Sequence, residues 1–211
     1  MKITVFGANG GIGKLLVKQA LDEGFLVNAY IRNPLKFEYK HPNLILIKGE
    51  LDDFETIKSS ITGVDCVIST LGPPLKRNYE GWAVLDGHKN MISAMEAENV
   101  KRLITIATPS VKFIKDVPSM VTKMPTIMAK LLFPKAYQEI VQVGLVVSAS
   151  KLDWTIVRFI APNDKPLTGK VKVTFGKSKI SWGISRADIA SYLFSQISDK
   201  QQVHSMPIVG S

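Results

Sequence analysis

The sequence predicts an α/β fold: a mostly parallel sheet with helices on both faces, in three layers. Three observations predict it. Apolar runs of strand length alternate with amphipathic stretches of helical spacing over most of the chain. Those runs are apolar throughout, as in strands covered on both faces, instead of alternating with polar residues. A turn holding Gly7, Gly10, Gly11 and Gly13 joins the first run to the first amphipathic stretch.

The elements follow in order. "KITVFG" is a buried strand ending at Gly7. "GIGKLLVKQALDEG" is a helix with Ile12, Leu15, Leu16 and Ala20 on one side and Gly24 as its stop. "FLVNAYIRNP" returns to strand until Pro34 breaks it, and "NLILIKGEL" is a third strand. "DDFETIKSSITG" is a short helix whose acidic first turn suits the helix dipole. "DCVISTLGPP" is a fourth strand running into a Gly-Pro loop. A long helix is expected from about Tyr79 to Asn99, then a fifth strand in "KRLITIATPS".

The second half is less regular. "MPTIMAKLLF" and "KAYQEIVQVGLVVSAS" read as helices, and "DWTIVRF" as a sixth strand. "KVKVTFG" adds an edge or hairpin strand. "SRADIASYLFSQIS" is the last helix, with Ser185 as cap and Asp188 in its first turn. No repeat or linker composition divides the chain, so residues 1–211 are expected to form one domain.

Composition narrows the function classes. The chain has 211 residues, a globular balance of apolar and charged side chains, and a formal charge of +9. Its basic residues are scattered. The densest cluster, "GKVKVTFGKSK", reads as one solvated strand face, and no nucleic-acid motif accompanies it, so nucleic acid is not the expected partner. No apolar run is long enough to span a membrane, and no membrane partner is expected on that ground. "MKITVFGANG" lacks a signal-peptide pattern, and Cys66 is the only cysteine; both fit a cytoplasmic protein. Cys66 lies among strand residues and reads as a buried thiol. His41, His88 and His204 have no ligand spacing, so no metal is expected. His88 reads as a helix residue that packs or faces solvent. Asp52 and Asp53 suit a helix cap better than an acid–base couple. Trp82, Trp154 and Trp182 read as isolated packing residues.

The glycine turn carries the functional signal. Between a strand and a helix, glycines allow a tight turn and let backbone approach a pyrophosphate at the helix N-terminus. Gly7, Gly10 and Gly13 are spaced G-x-x-G-x-x-G, and no G-K-[ST] follows, which excludes a Walker loop. The second strand ends in "YIRNP". An NAD site places an acid there for the ribose 2′-hydroxyl; here Arg32 and Asn33 stand instead. Arginine matches a 2′-phosphate, so the cofactor expected is NADP(H), with Lys36 a second candidate.

On these motifs the chain resembles the atypical short-chain dehydrogenase/reductases of the NmrA-like NAD(P)-binding set. Within that set it is most similar to the NADPH-dependent flavin reductase/biliverdin-IXβ reductase group. The segments that carry the resemblance are "ITVFGANGGIG", "AYIRNP", "IKGEL", "VDCVISTLG", "KRLITIATPS", "DWTIVRF", "DKPLTGKVKVTFG" and "ISRADIA". The resemblance implies a Rossmann-like fold and the following roles. Gly7, Asn9, Gly10, Gly11, Ile12 and Gly13 would wrap the pyrophosphate. Arg32 would hold the 2′-phosphate, and Leu51 and Asp52 would lie near adenine. Leu71 and Gly72 would pass beneath the cofactor. Thr108 and Pro109, with Ser110, would flank the nicotinamide, and Phe159, Ile160, Ala161 and Pro162 would support its carboxamide end. Ser110 would position the acceptor.

Many relatives pair such a serine with Tyr-x-x-x-Lys as proton donor. Here Tyr137 is followed four residues on by Val141, and Lys135 lies on another helix face. A free flavin or similar planar acceptor asks less, because solvent can supply the proton. Phe113, Met120, Met124 and Met128 are candidates for an apolar wall of the acceptor pocket. The function expected is hydride transfer from NADPH to such an acceptor. A non-catalytic NAD(P) sensor or scaffold is the second reading, and a sugar-nucleotide epimerase or dehydratase the third. Monomer and homodimer are both open, the latter through an apolar face on the 79–99 helix.

Overall fold

The computed structural model describes the chain except Lys179 and Trp182, and leaves out the side chain of Val121. Statements on Trp182 as a packing residue and on the Lys179 end of the basic cluster therefore lie outside the described residues.

Six parallel strands form the body of the sheet: β1 (Lys2–Phe6), β2 (Leu26–Ile31), β3 (Leu44–Lys48), β4 (Cys66–Ser69), β5 (Arg102–Ala107) and β6 (Asp153–Arg158). The short pair β7 (Pro162–Asn163) and β9 (Ile184–Ser185) stands apart from it. β8 (Lys172–Thr174) and β10 (Ile208–Gly210) complete the main sheet, whose order is β3-β2-β1-β4-β5-β6-β10-β8. β10 runs parallel to β6, and β8 is antiparallel to β10. β8 is thus the expected edge strand. β10 was not foreseen, because three residues after a turn carry no readable period.

The helices are α1 (Gly11–Asp22), α2 (Phe54–Ile61), α3 (Ala83–Ala97), α4 (Met120–Leu132), α5 (Pro134–Ala149) and α6 (Arg186–Ser195). Burial forces the layering. Ile12, Leu16, Val17, Ala20 and Leu21 of α1 pack with Ile189, Ala190 and Leu193 of α6 on one sheet face. Ile57 and Ile61 of α2, Met91 and Met95 of α3, and Ile140, Val143 and Val147 of α5 pack on the other. The result is the expected three-layer α/β/α Rossmann-like fold.

Several expectations need correction. Leu15 is exposed; Val17 and Leu21 take the inward positions instead. α3 starts at Ala83, not Tyr79, because Gly81 adopts φ +66° and turns the chain ahead of the helix. α4 begins a turn before Met124, so Pro125 lies inside it. The apolar face of α3 holds Val84, Leu85, Met91, Ala94 and Met95 inside the chain's own core and offers no dimer surface. Of the two readings of His88, packing holds. The ring is fully buried, with Nδ1 2.7 Å from the Val84 carbonyl and Nε2 3.0 Å from the Thr105 hydroxyl.

Candidate dinucleotide site

The chain runs from β1 to β2 and β3 on one side and then crosses to β4 on the other side of β1, a reversal that opens a crevice at the carboxyl ends. A groove of about 1220 Å³ lies there. The expected residues Gly7, Asn9, Gly10, Arg32, Leu51, Asp52, Leu71 and Gly72 line it.

The turn after β1 is built by close approach. Gly7 has φ +75°, and a Cβ there would stand 2.8 Å from the Thr70 hydroxyl. That hydroxyl donates to the carbonyls of Phe6 and Gly7, tying the end of β4 to the turn. A Cβ on Gly13 would meet the Gly7 carbonyl oxygen at 2.2 Å, so only glycine lets α1 sit this close. The Gly10 amide donates to the Gly7 carbonyl, and Gly10, the N-cap of α1, offers no side-chain cap. The first amides of α1 therefore keep their donors for a ligand. Asn9 adds a buried Oδ1 without a hydrogen-bond partner. Free amides and a dipole end fit the pyrophosphate of a dinucleotide, and the Asn9 oxygen is an acceptor left for a donor group such as a hydroxyl.

The other end of the groove is basic. Arg32 is exposed at the end of β2, followed by Asn33 and Lys36, all lining the groove. Asn33 accepts from the Leu35 amide and holds the short turn Pro34–Lys36. Across from it, Tyr30 donates to the Glu50 carbonyl at 2.7 Å, and Asn90 donates to the Leu51 carbonyl at 2.9 Å. These bonds fix the wall formed by residues 49–52. Burial, then the charge of Asp53, raises the Tyr30 phenol to about 12, so it stays a donor. Asp53 caps α2 by accepting from the Thr56 amide at 3.0 Å.

The remaining expected residues lie outside the groove lining. Gly11 is exposed beside Arg186, Ile12 is in the core, and Gly13 faces Gly7. Thr108 is half-buried, while Pro109 and Ser110 are buried, Ser110 at 5 % exposure. Phe159 belongs to the core; Ile160 and Pro162 are half-buried, and Ala161 is exposed with φ +45°. Met120, Met124 and Met128 face solvent and do not line the groove.

The structure also joins residues that the sequence reading missed. Buried Glu139 of α5 accepts from the Val84 and Leu85 amides at 2.8 and 3.0 Å, capping α3 from another helix. Its second oxygen accepts from the Tyr79 hydroxyl at 2.6 Å. Lys135 donates to the Tyr79 carbonyl, and its ammonium lies 4.7 Å from the Tyr79 ring centre and 5.4 Å from that of Trp82. The Tyr79 phenol is pushed upward by burial and then by Glu139, so it remains protonated. This network fixes Trp82–Asp86, the wall of the groove on the α3 side. A carboxylate among Ala136, Ile140 and Val143 on the apolar side of α5 was the available signal.

Two further polar anchors hold the loops past β5 and β6. Arg158, wholly buried, donates to both Asp116 oxygens at 2.6 Å and to the Val111 carbonyl at 2.7 Å. Asp188 accepts from Ser185, Thr168 and Gly169. Burial opposes its charge, but these bonds prevail and hold its carboxyl below the usual range. Cys66 is fully buried and its thiol is raised to about 12 by burial, so it is not a nucleophile. Among the described residues no three His, Cys, Asp or Glu side chains form a metal-binding group.

Residues 7–200 match the family described as NAD(P)H-binding, and the chain belongs to that family. It therefore binds NAD(P). Among curated relatives, the photosystem II assembly factor Ycf39 of Cyanophora paradoxa is 31% identical over 128 residues, 60% of this chain. The matched stretch is 40% of that relative's length. Among solved structures, a short-chain dehydrogenase/reductase from Veillonella parvula in complex with NADP aligns with TM-score 0.78 at 18% identity, covering 100% of this chain and 94% of that one. ChuY, an anaerobillin reductase from Escherichia coli O157:H7, aligns with TM-score 0.79 at 20% identity, covering 100% and 97%. At these identities the structural matches show the shared fold.

Proposed function

We propose that the protein is an NADPH-dependent reductase that passes hydride to a free flavin or a similar planar conjugated acceptor. The observation that carries the cofactor half is the pair Arg32 and Lys36, two exposed cations lining the 2′ end of the groove. Bound NADPH would supply the hydride. The chain's own part is to cradle the pyrophosphate on Gly7–Gly13, meet the 2′-phosphate with Arg32, and hold the nicotinamide near Thr108–Ser110 and Phe159–Pro162. The missing Tyr-x-x-x-Lys supports an acceptor that takes its proton from solvent. The solved structures that share this fold include an anaerobillin reductase, so the scaffold is one on which a reductase is built.

The burial of Ser110 favours a second reading. A hydroxyl withdrawn from the groove cannot position an acceptor unless its loop moves, and a nucleotide-binding scaffold needs no such hydroxyl. One experiment separates the two. NADPH oxidation is followed at about 340 nm with FMN, riboflavin or biliverdin, beside NADP(H) titration of the same preparation. Acceptor-dependent oxidation is the expected result. Tight nucleotide binding with no turnover across the panel moves the protein to the scaffold reading.

A further inference from the structure

Helix α4 is packed with its apolar side outward. On a helical wheel Met120, Met124, Ile127, Met128, Leu131 and Leu132 fall on one arc. Their exposures run from 39 to 68 %. The side turned toward the protein carries Thr122, Thr126 and Ala129. An exposed apolar stripe of this length is normally covered.

Charge identifies the cover. Lys123 and Lys130 flank the stripe, and the preceding loop adds exposed Lys112 and Lys115 around Ile114, itself 95 % exposed. No acidic residue occurs between Asp116 and Glu139. Asp116 is paired with Arg158, and Glu139 is buried under α3. A second copy docking on this stripe would set lysine against lysine with no acid to answer it. The arc also lacks directional hydrogen-bonding groups that would fix the register of a protein partner.

We propose that α4 is an interfacial helix that lays its apolar side on an anionic lipid surface. The methionines and leucines enter the acyl boundary, and Lys112, Lys115, Lys123 and Lys130 meet the headgroups. No described helix is long and apolar enough to cross a membrane. Lying on one is a different case and needs no span.

The test is flotation of the full chain with phosphatidylcholine vesicles, with and without phosphatidylglycerol, at low and high salt. Wild type should float with the anionic vesicles at low salt and far less with neutral ones. Ile127→Asp with Leu131→Asp should weaken partitioning at least about tenfold. Lys123→Gln and Lys130→Gln should each weaken it about fivefold. Circular dichroism and NADPH titration check that the variants remain folded. Wild type that stays with neither vesicle overturns the proposal, as does flotation indifferent to all four substitutions. Self-association in light scattering, abolished by the aspartates and unaccompanied by flotation, also overturns it and assigns the face to a second copy.

Discussion

Arg32 shows what one exposed side chain can decide. It makes no ion pair among the described residues, so its fork is free for a ligand. Arg32→Ala should weaken NADPH about tenfold, the effect of losing about 1.4 kcal/mol at a solvent-exposed ribose edge. NADH lacks that phosphate and should scarcely change. Isothermal titration of both nucleotides at one ionic strength reads the difference; equal losses would assign Arg32 to the fold instead. His88 makes a different kind of prediction. Burial holds its imidazole at about 4, below the ordinary 6.5, so the folded protein resists protonation while the unfolded chain accepts it. Its contribution is therefore intact above about pH 6.5 and is lost as pH falls toward 4, by about 3 kcal/mol at most. Urea midpoints between pH 7 and 4.5 should fall, and less steeply in His88→Asn; parallel slopes would refute the assignment. The exposed position of Arg32 at the end of β2 was legible in the sequence because strand end and charge coincide in "YIRNP". The burial of His88 was not, since its partner Thr105 sits on a strand seventeen residues away.

At the scale of elements, α3 depends on a cap supplied by another helix. Glu139→Ala leaves the Val84 and Leu85 amides and the Tyr79 hydroxyl without their acceptor. The expected cost is about 3 kcal/mol, against about 1 kcal/mol for Tyr79→Phe, which removes one bond. Chemical denaturation measures both. NADPH affinity should fall with Glu139→Ala, because Trp82–Asp86 would lose its anchor; unchanged affinity would show that the wall is held by packing alone. The six long parallel strands and the glycine turn were readable, since period and turn chemistry are local. The start of α3 and strand β10 were not. One is set by Gly81 and by a carboxylate from α5, the other by pairing with Arg158 and with Lys172–Thr174. The site divided along the same line. Positions on strand ends β1 to β4 reached the groove, whereas Thr108–Ser110 and Phe159–Pro162 sit on loops anchored by Asp116, Arg158 and Asp188, contacts that no short window reveals.

For the molecule as a whole, the groove is walled by residues at the ends of β1, β2, β3 and β4 together with α3, so nucleotide bound there would report on the global fold. A hundredfold excess of NADPH over its dissociation constant should stabilise the protein by about 2.7 kcal/mol and raise the thermal midpoint. Differential scanning fluorimetry with NADPH and NADH at equal concentrations should show the larger shift for NADPH. Equal shifts would remove the cofactor preference without touching the family assignment.

The position of β1 has a kinetic consequence. The first strand of the chain is an inner one, paired with Leu26–Ile31 on one side and Cys66–Ser69 on the other. The three-stranded unit that carries the glycine turn is thus encoded within the first third of the sequence, while β6 must wait for Ile208 to gain its second neighbour. Loop closure favours the shorter separations. Lys2 pairs with Leu26 across a shorter stretch of chain than separates Thr174 or Arg158 from Ile208, so refolding should protect the amides of β1 and β2 before those of β10 in pulsed hydrogen exchange, and the strand–turn–helix that carries the glycines should form while the far edge of the sheet is still open.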